Sequence, residues 1–339
     1  MLAQYLSARM GVLSAKGACL SWFFISISAS TAHAVDLGSP IDCEVGRTCF
    51  IQNYVDHDTS GRARDYRCGA LTYDGHNGTD FRLPTLAVQR SGVNVLAAAE
   101  GRVLRTRDGM ADISISAADA PSVADRECGN GVVVAHAEGW ETQYCHLERG
   151  SVNVKPGDRV VAGQPVGRVG LSGKTEFPHV HLTVRQHGKI VDPFAVGAPE
   201  EACDAGTSLW SPSVRDAFAY QARAILNLGF AAGPVTMEQI EAGEASRSRL
   251  GLGSDALVAF VRAIGLKQGD VQRLSITGPD GQVVADQAER PLDRDKAQVM
   301  FFVGRKRPPA GWDAGSYRAT YRVIRDGKTL LERSFETSL

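Results

Sequence analysis

Short apolar runs interrupted by glycine constrain the fold of this chain most strongly. Between residues 71 and 198, β-branched runs such as 93–97, 131–135 and 166–169 are separated by glycines at close intervals. Runs of this length are typical of strands, and glycine readily adopts the positive φ that tight turns need. This segment therefore predicts an all-β unit, and the whole chain is predicted to be mainly β.

Length and charge narrow the class of protein further. The chain has 339 residues, of which 43% are hydrophobic, and this length suggests about two domains. There are 37 Lys and Arg residues against 38 Asp and Glu residues, a formal charge of −1. With no basic excess to attract a polyanion, we expect no nucleic-acid partner.

The first 34 residues predict a secretory signal peptide. Arg9 and Lys16 accompany a mostly apolar stretch over 17–29, which ends at Ala32-His33-Ala34, a small-x-small cleavage pattern. This stretch is shorter than the ~20 residues that a spanning helix needs. We therefore expect an exported, periplasmic protein with no stable membrane anchor after cleavage.

The cysteines that remain after cleavage predict disulfides, because an even number in an exported chain favours pairing. They are Cys43, Cys49, Cys68, Cys128, Cys145 and Cys203. Cys43 and Cys49 are close enough in sequence to pair locally. The other pairings stay open, and we expect them to tie residues 35–70 and a later linker to the β unit.

The remaining segments predict three further parts. Residues 35–70 are predicted to form a disulfide-stapled extension, because they hold three cysteines and few strand patterns. Residues 199–254 are predicted to form a helical linker, since Val214, Phe218 and Ala222 recur at helical spacing. Residues 255–339 show strand alternation and hairpin turns, which predict a small immunoglobulin-like β-sandwich.

Three short segments carry the histidines of chemical interest. His76 and Asp80 form an HxxxD pattern with a glycine between them, and both side chains are good zinc ligands. His179 and His181 are two residues apart, so they share one face of a strand while Val180 faces the other way. The third segment contains His146.

The number of these side chains suits a catalytic metal site. Such a zinc site has three protein ligands and keeps one position for water. His76, Asp80 and one histidine of the HxH pair would supply three ligands. The other histidine and His146 would then be free to move protons or to stabilise an oxyanion.

Five motifs in this order resemble the lysostaphin/LytM-type zinc metallopeptidases, over roughly residues 69–196. The motifs are Gly75–Asp80, Tyr144-Cys145-His146-Leu147, the hairpin Val154–Gly167, Pro178-His179-Val180-His181 and Gly188–Pro193. The resemblance implies a duplicated hybrid motif fold, a barrel-sandwich of antiparallel strands. It also implies hydrolysis of peptide bonds in bacterial peptidoglycan, with the peptide stems as partners.

The resemblance implies a role for each of the five side chains. His76, Asp80 and His181 match the metal ligands for one Zn²⁺ per chain, and His146 and His179 match the two catalytic histidines that do not bind metal. Val180, Leu182-Thr183 and Phe177 depart from the usual family residues. Residues 106–127 form a longer insertion, which suggests a groove wall or a lid.

The expected activity is that of a zinc metalloendopeptidase acting on the D-alanyl to diaminopimelate cross-link. Three alternatives stay open: a non-catalytic activator of the same fold, a biotinyl or lipoyl carrier, and a wall-binding or partner-binding protein whose site is occluded. A carrier would need a modifiable lysine at the tip of an exposed turn and would not explain the histidines. An activator would be expected to have lost ligands, whereas all five positions are filled here. A regulatory protein partner is not identified by the sequence.

Overall fold

The computed structural model describes Met1 and residues 35–118, 120–199, 202–245 and 250–339. Apart from Met1, the predicted signal peptide over 1–34 lies outside the described residues. Among the described residues, no helix has the length and apolarity needed to cross a bilayer.

Strands dominate the part of the chain that the structure describes. The first ten strands are β1 (Phe50–Asn53), β2 (Thr79–Arg82), β3 (Asn94–Leu96), β4 (Gly101–Arg107), β5 (Asn130–Ala135), β6 (Trp140–Leu147), β7 (Arg159–Val160), β8 (Pro165–Arg168), β9 (His179–Gln186) and β10 (Lys189–Val191). The later strands are β11 (Ala224–Ala231), β12 (Ala256–Leu266), β13 (Val271–Thr277), β14 (Val283–Ala288), β15 (Lys296–Lys306), β16 (Ser316–Arg325) and β17 (Lys328–Ser338). The α-helices are short: α1 (Leu86–Arg90), α2 (Pro212–Arg215) and α3 (Met237–Ala242). The mainly β class predicted from the sequence is thus confirmed.

One large antiparallel sheet carries the predicted histidine segments. Its strand order is β1-β2-β9-β6-β5-β4-β7, and β10 pairs with the end of β9. The two-stranded sheet of β3 and β8 shares a buried apolar core with it, in which Val95 and Val166 join Val180 and Leu182. Val180 and Leu182 therefore point into the core, as the alternation in β9 predicts, and the histidines between them point to the other face.

The N-terminal segment is part of this sheet. Residues 35–70 were expected to lack clear strands, but β1 pairs antiparallel with β2 and so extends the sheet at its edge. Isoleucine and phenylalanine favour strands, and Phe50 and Ile51 are buried on pairing.

Three disulfides join the six cysteines. Cys43 pairs with Cys49, which confirms the predicted local bridge. Cys68 pairs with Cys203 across 135 residues and so ties the N-terminal segment to the chain that follows the large sheet. Cys128–Cys145 lies within the sheet instead, where it joins the end of the 106–127 insertion to β6.

The helical linker predicted over residues 199–254 is wrong. Its described part contains the four-residue α2, the six-residue α3 and the eight-residue strand β11. β11 pairs along its length with β12, so its backbone hydrogen bonds are satisfied between strands. This long-range pairing overrides a weak helical spacing, and Phe218 is buried against Phe81 and Trp210 rather than on a helix face.

Two further sheets form the C-terminal part. One has the order β11-β12-β15 and the other β14-β13-β16-β17. They enclose one core, to which Leu257 and Val261 contribute from the first sheet and Leu274 and Tyr321 from the second. Two C-terminal sheets were expected, but β11 joins them from the segment predicted as a linker. Their immunoglobulin-like character stays a prediction.

Strand β12 is buried on both of its faces. Leu257 and Val261 face the C-terminal core, whereas Arg262 and Ile264 lie on alternate positions that face the other way. Ile264 packs with Phe50 of β1. The C-terminal sheets therefore lie against β1 at the edge of the large sheet, next to β2, the strand that contains Asp80.

Candidate active site

The pairing of β2 with β9 brings the first set of predicted side chains together. Asp80 is the partner of His181, and Arg82 is the partner of His179. Directly opposed residues on neighbouring strands project from the same face of a sheet. His76 lies just before β2 and is buried beside them.

His76, Asp80 and His181 converge on one point. The Nε2 atom of His76 lies 3.2 Å from Nδ1 of His181 and 3.2 Å from Oδ1 of Asp80. Nδ1 of His181 lies 2.9 Å from the same Oδ1. A tetrahedral zinc ion with bonds of about 2.0 Å would separate its ligand atoms by about 3.3 Å. The spacing and the donor types of this cluster fit zinc, so the three residues can hold a metal ion.

Hydrogen bonds on the far side of each group orient these three side chains. Nδ1 of His76 donates to the carbonyl oxygen of Tyr54 at 2.6 Å, which leaves the lone pair of Nε2 for a metal. The side-chain amide of Asn53 donates to Oδ2 of Asp80 at 2.8 Å. Such outer contacts fix the tautomer and rotation of metal-binding side chains.

His181 donates its proton from the other ring nitrogen, Nε2, whereas His76 donates from Nδ1. Its Nε2 lies 3.0 Å from both Asn77 Oδ1 and Thr183 Oγ1, so the proton on Nε2 is donated to this pair. The lone pair is then on Nδ1, which faces Asp80. Thr183 supplies an oxygen to the same nitrogen.

His146 and His179 form a second pair next to the cluster. Their ring centroids are 4.6 Å apart, and Nε2 of His179 lies 3.3 Å from Oδ1 of Asp80. Nδ1 of His146 contacts the carbonyl of Ser172 at 2.8 Å, and Nδ1 of His179 contacts the carbonyl of Phe177 at 2.9 Å. Both Nδ1 atoms carry protons for these bonds, so each Nε2 presents a lone pair to the site.

A bulge in β6 turns His146 towards this face. Cys145 is the partner of His181, so regular alternation would place His146 on the opposite face. His146 has a φ of 64°, which is uncommon for a residue with a side chain, and the register of β6 against β5 shifts beside it. The bulge and the Cys128–Cys145 disulfide hold the imidazole where strand periodicity alone would not put it.

Gly78 allows His181 to approach the HxxxD loop. A Cβ atom at this position would lie 2.5 Å from Nε2 of His181 and 2.6 Å from the carbonyl oxygen of Leu182. The glycine between the two predicted ligands is therefore required by close packing.

The electrostatics of the site favour an ionised Asp80 and neutral imidazoles at His146 and His181, whereas burial and the charge of Asp80 act oppositely on His76 and leave its pKa raised. Burial alone would raise the pKa of Asp80, but the charges of His76 and His179 hold it well below its usual value. Burial lowers the pKa of His146 well below its usual value, and repulsion from His179 and His181 adds to this effect. Burial also lowers the pKa of His181. These protonation states are the ones in which the groups bind a metal or accept a proton.

The structure thus brings all five predicted side chains to one place. The sequence did not indicate Asn53, Asn77 and Thr183, whose hydrogen bonds orient the cluster. It also did not indicate Arg82, which lies two residues after Asp80 on the same face of β2. Alternation along β2 could have indicated Arg82, since residues two apart share a face.

A cavity of about 770 Å³ borders the cluster on the side of His76 and Asn77. His57 lines it and is hydrogen-bonded to Asp192 at 2.8 Å. A second cavity, of about 540 Å³, lies on the side of Phe177 and Pro178. The candidate active site therefore has a cavity on either side.

Comparison with known proteins identifies the segment that carries this site. Residues 74–193 match the model of Peptidase family M23. The cell division protein DipM of Caulobacter vibrioides is 35% identical over 124 residues, which are 35% of this chain and 19% of that protein. The peptidoglycan DD-endopeptidase ShyA of Vibrio cholerae is 30% identical over 124 residues, 37% of this chain and 23% of that protein. The chain thus spans about a fifth of the length of these relatives.

Solved structures align with the same part of the chain. A zinc-containing peptidase from Vibrio cholerae aligns with a TM-score of 0.29 at 23% identity, over 44% of this chain and 41% of that one. The catalytic domain of lysostaphin from Staphylococcus simulans aligns with a TM-score of 0.27 at 22% identity, over 42% of this chain and 85% of that one. TM-scores this low do not establish a shared fold, which is defined here by the strand order and pairing of the chain itself.

Proposed function

We propose, from the match of residues 74–193 to Peptidase family M23, that the protein is a zinc metalloendopeptidase that hydrolyses peptide cross-links of bacterial peptidoglycan. The observation that carries the proposal is the convergence of His76 Nε2, Asp80 Oδ1 and His181 Nδ1 within 3.2 Å of one another. Each of the three atoms is aimed at the others by a hydrogen bond on its far side.

His76, Asp80 and His181 would hold one zinc ion per chain. Bound there, zinc supplies Lewis-acid activation of water and of the scissile carbonyl group. Asp80 supplies the one negative charge of the ligand set, and Asn53 keeps its second oxygen hydrogen-bonded. The two imidazoles are neutral donors, so the site keeps a net positive charge when loaded.

His146 and His179 would carry the proton transfers. The Nε2 atoms of both rings face the site, and either can take the proton of the attacking water. The protonated ring can then deliver the proton to the leaving amine. The other ring would stabilise the developing oxyanion only with a proton on its Nε2, as an N–H donor. Each proton-transfer role contributes roughly 10² to 10⁴ in rate.

The proposed bond is the D-alanyl to diaminopimelate cross-link of a periplasmic cell wall. ShyA, which is similar to this chain over the site, is described as a peptidoglycan DD-endopeptidase. Three disulfides suit an oxidising compartment outside the cytoplasm. The peptide stems of peptidoglycan are thus the proposed partners.

Digestion of purified sacculi tests this proposal. Zinc-loaded protein should release stems that end in D-alanine together with stems that carry a newly free diaminopimelate amine, as identified by mass spectrometry. The His181→Ala variant should release neither, because it lacks a zinc ligand. Intact cross-links after prolonged digestion with zinc-loaded, folded protein would contradict the proposed activity.

A further inference from the structure

The cavity of about 540 Å³ beside the HxH strand has two arginines among its lining residues. Arg82 comes from β2 of the large sheet and Arg262 from β12 of the C-terminal sheets. Ser114 and Ser116 of the 106–127 insertion and Phe177 also line the cavity. Several separate parts of the chain therefore enclose this space.

Arg82 lies on the catalytic face. It follows Asp80 by two residues and is the strand partner of His179, so its side chain leaves the sheet next to both. Its side chain is 2% exposed, and its guanidinium lies 4.0 Å from the centre of the Phe177 ring. One nitrogen, Nη1, donates to Gln52, but Nε has no hydrogen-bond partner.

Arg262 is buried to the same degree and has fewer partners. Its side chain is 2% exposed, and neither Nε nor Nη1 makes a hydrogen bond. A buried donor without a partner costs roughly 1 to 3 kcal/mol, and more when it is charged. Native proteins seldom keep several such donors in one place without a ligand or ordered water for them.

The surrounding carboxylates do not satisfy these two charges. Glu241 Oε1 lies 3.8 Å from Arg82 and 3.7 Å from Arg262, distances that are too long for hydrogen bonds. Its side chain is 38% exposed, and it accepts a hydrogen bond from Gln298. Glu176 and Glu238 also line the cavity, but both are exposed and remain hydrated.

Burial acts on both guanidinium groups. It lowers the pKa of Arg262 to about 10. Two cations thus share a buried space whose lining carboxylates, Glu176, Glu238 and Glu241, are exposed or partly exposed, and an anion placed between the cations would relieve their repulsion.

We propose that Arg82 and Arg262 bind a free carboxylate of the peptide substrate, on the residue next to the scissile bond. The inference rests on the proposed endopeptidase function. Guanidinium groups bind carboxylates through paired N–H···O bonds, and the unpartnered N–H groups here are suited to that contact. The C-terminal sheets would then complete the substrate site by contributing Arg262.

The position of the cavity agrees with the chemistry of this substrate. One residue of an extended peptide spans about 3.5 Å, and same-face neighbours on a strand are about 6.7 Å apart. Because Arg82 is the strand partner of His179, a carboxylate one residue from a bond held at His179 would lie on the side of the site from which Arg82 projects. In the D-alanyl to diaminopimelate cross-link, the residue on the leaving side keeps a free carboxylate next to the amide, whereas residues inside a glycine bridge have none.

Binding to the zinc-loaded, full-length protein tests this inference directly. The probes are the tripeptide L-alanyl-γ-D-glutamyl-diaminopimelate with its side-chain-end carboxylate either free or amidated, measured by isothermal titration calorimetry. The free acid should bind at least roughly 10-fold more tightly, because the amide presents N–H donors to guanidinium donors. Equal affinities for the two probes would overturn the inference, whatever the variants do.

The Arg262→Gln variant tests whether the preference for the free acid over the amide arises in this cavity. The variant should reduce the ratio of the two affinities towards one, and Arg318→Gln should keep it, since Arg318 is exposed and pairs with Glu336 elsewhere. Thermal unfolding shows which variants are folded, and Arg82→Gln provides a second variant should Arg262→Gln not fold. A folded Arg262→Gln variant with the full wild-type preference would refute the role of Arg262.

Hydrolysis of cross-linked dimers separates this inference from the proposed function. Wild-type protein should cleave the free-acid dimer with a higher kcat/KM than the amidated dimer. A binding preference without cleavage of either dimer would refute the endopeptidase activity and support the carboxylate site. Cleavage of both dimers at equal kcat/KM, together with equal binding, would refute the site and support the activity.

Discussion

Replacing Gly78 with alanine should weaken zinc binding by displacing His181. The added Cβ would lie 2.5 Å from Nε2 of His181, about 0.9 Å closer than an ordinary contact of 3.4 Å. The carbonyl oxygen of Leu182, 2.6 Å away, cannot retreat easily, because β9 is paired on both sides by β2 and β6. The imidazole or the loop that carries His76 must therefore shift by nearly an ångström.

A shift of this size would move Nδ1 of His181 away from Oδ1 of Asp80, now 2.9 Å distant, and from Nε2 of His76, now 3.2 Å distant. Disturbing the contacts that orient metal ligands costs about 10- to 100-fold in metal affinity. We expect Gly78→Ala to bind zinc weaker by that factor, as measured by competition with a chromogenic chelator at constant pH.

Gly233→Ala is the matched control. A Cβ at Gly233 meets nothing within 4 Å, and its φ lies outside the left-handed region, so zinc affinity should not change. Circular dichroism and thermal unfolding should show both variants folded. If folded Gly78→Ala binds zinc within about two-fold of wild type, the close approach at Gly78 does not set the position of His181.

Three further predictions follow from the site and from the C-terminal sheets. His181→Ala should lose its zinc, whereas His179→Ala should keep it and lower kcat roughly 10²-fold; metal analysis that shows the reverse pattern would exchange the two roles. Removing zinc with a chelator should lower the melting temperature and adding zinc should restore it, since a ligand at 1,000 times its Kd stabilises the folded state by about 4 kcal/mol; an unchanged melting temperature would contradict a metal held by the folded protein. Burial alone would raise the pKa of Asp270, but hydrogen bonds from Arg223 and the Lys267 backbone lower it. The ionised Asp270 therefore stabilises the folded state at pH values above its pKa in the unfolded chain, about 3.9. This stabilisation is lost as the pH falls through its lower pKa in the folded protein. Between pH 6 and pH 3, the free energy of unfolding measured with urea should fall less for Asp270→Asn than for the wild-type protein. Equal decreases in the two proteins would contradict this role of Asp270.

Local pattern was enough to predict much of the site. Alternation along β9 places His179 and His181 on one face, because side chains in a strand repeat every two residues. The residue types of the HxxxD and HxH segments indicate zinc by their donor chemistry alone. The Cys43–Cys49 bridge was also predictable, since a separation of six residues keeps two cysteines close in any compact turn.

Local pattern failed where a distant partner decided the outcome. The spacing of Val214, Phe218 and Ala222 predicted a helix, yet the segment after them forms β11 because β12 offers it a full ladder of hydrogen bonds. Likewise, strand periodicity would turn His146 away from the site, and only the bulge against β5 brings it back.

The sequence by itself determined which side chains can bind a metal and which of them share a strand face. Only the tertiary structure decided that Asp80 stands opposite His181, about a hundred residues later, and that Arg82 and Arg262 line the same cavity. The physical reason is that ligand chemistry and strand alternation are local properties of a few residues. The register between strands and the packing of one sheet on another depend instead on which distant segments bury each other's apolar faces.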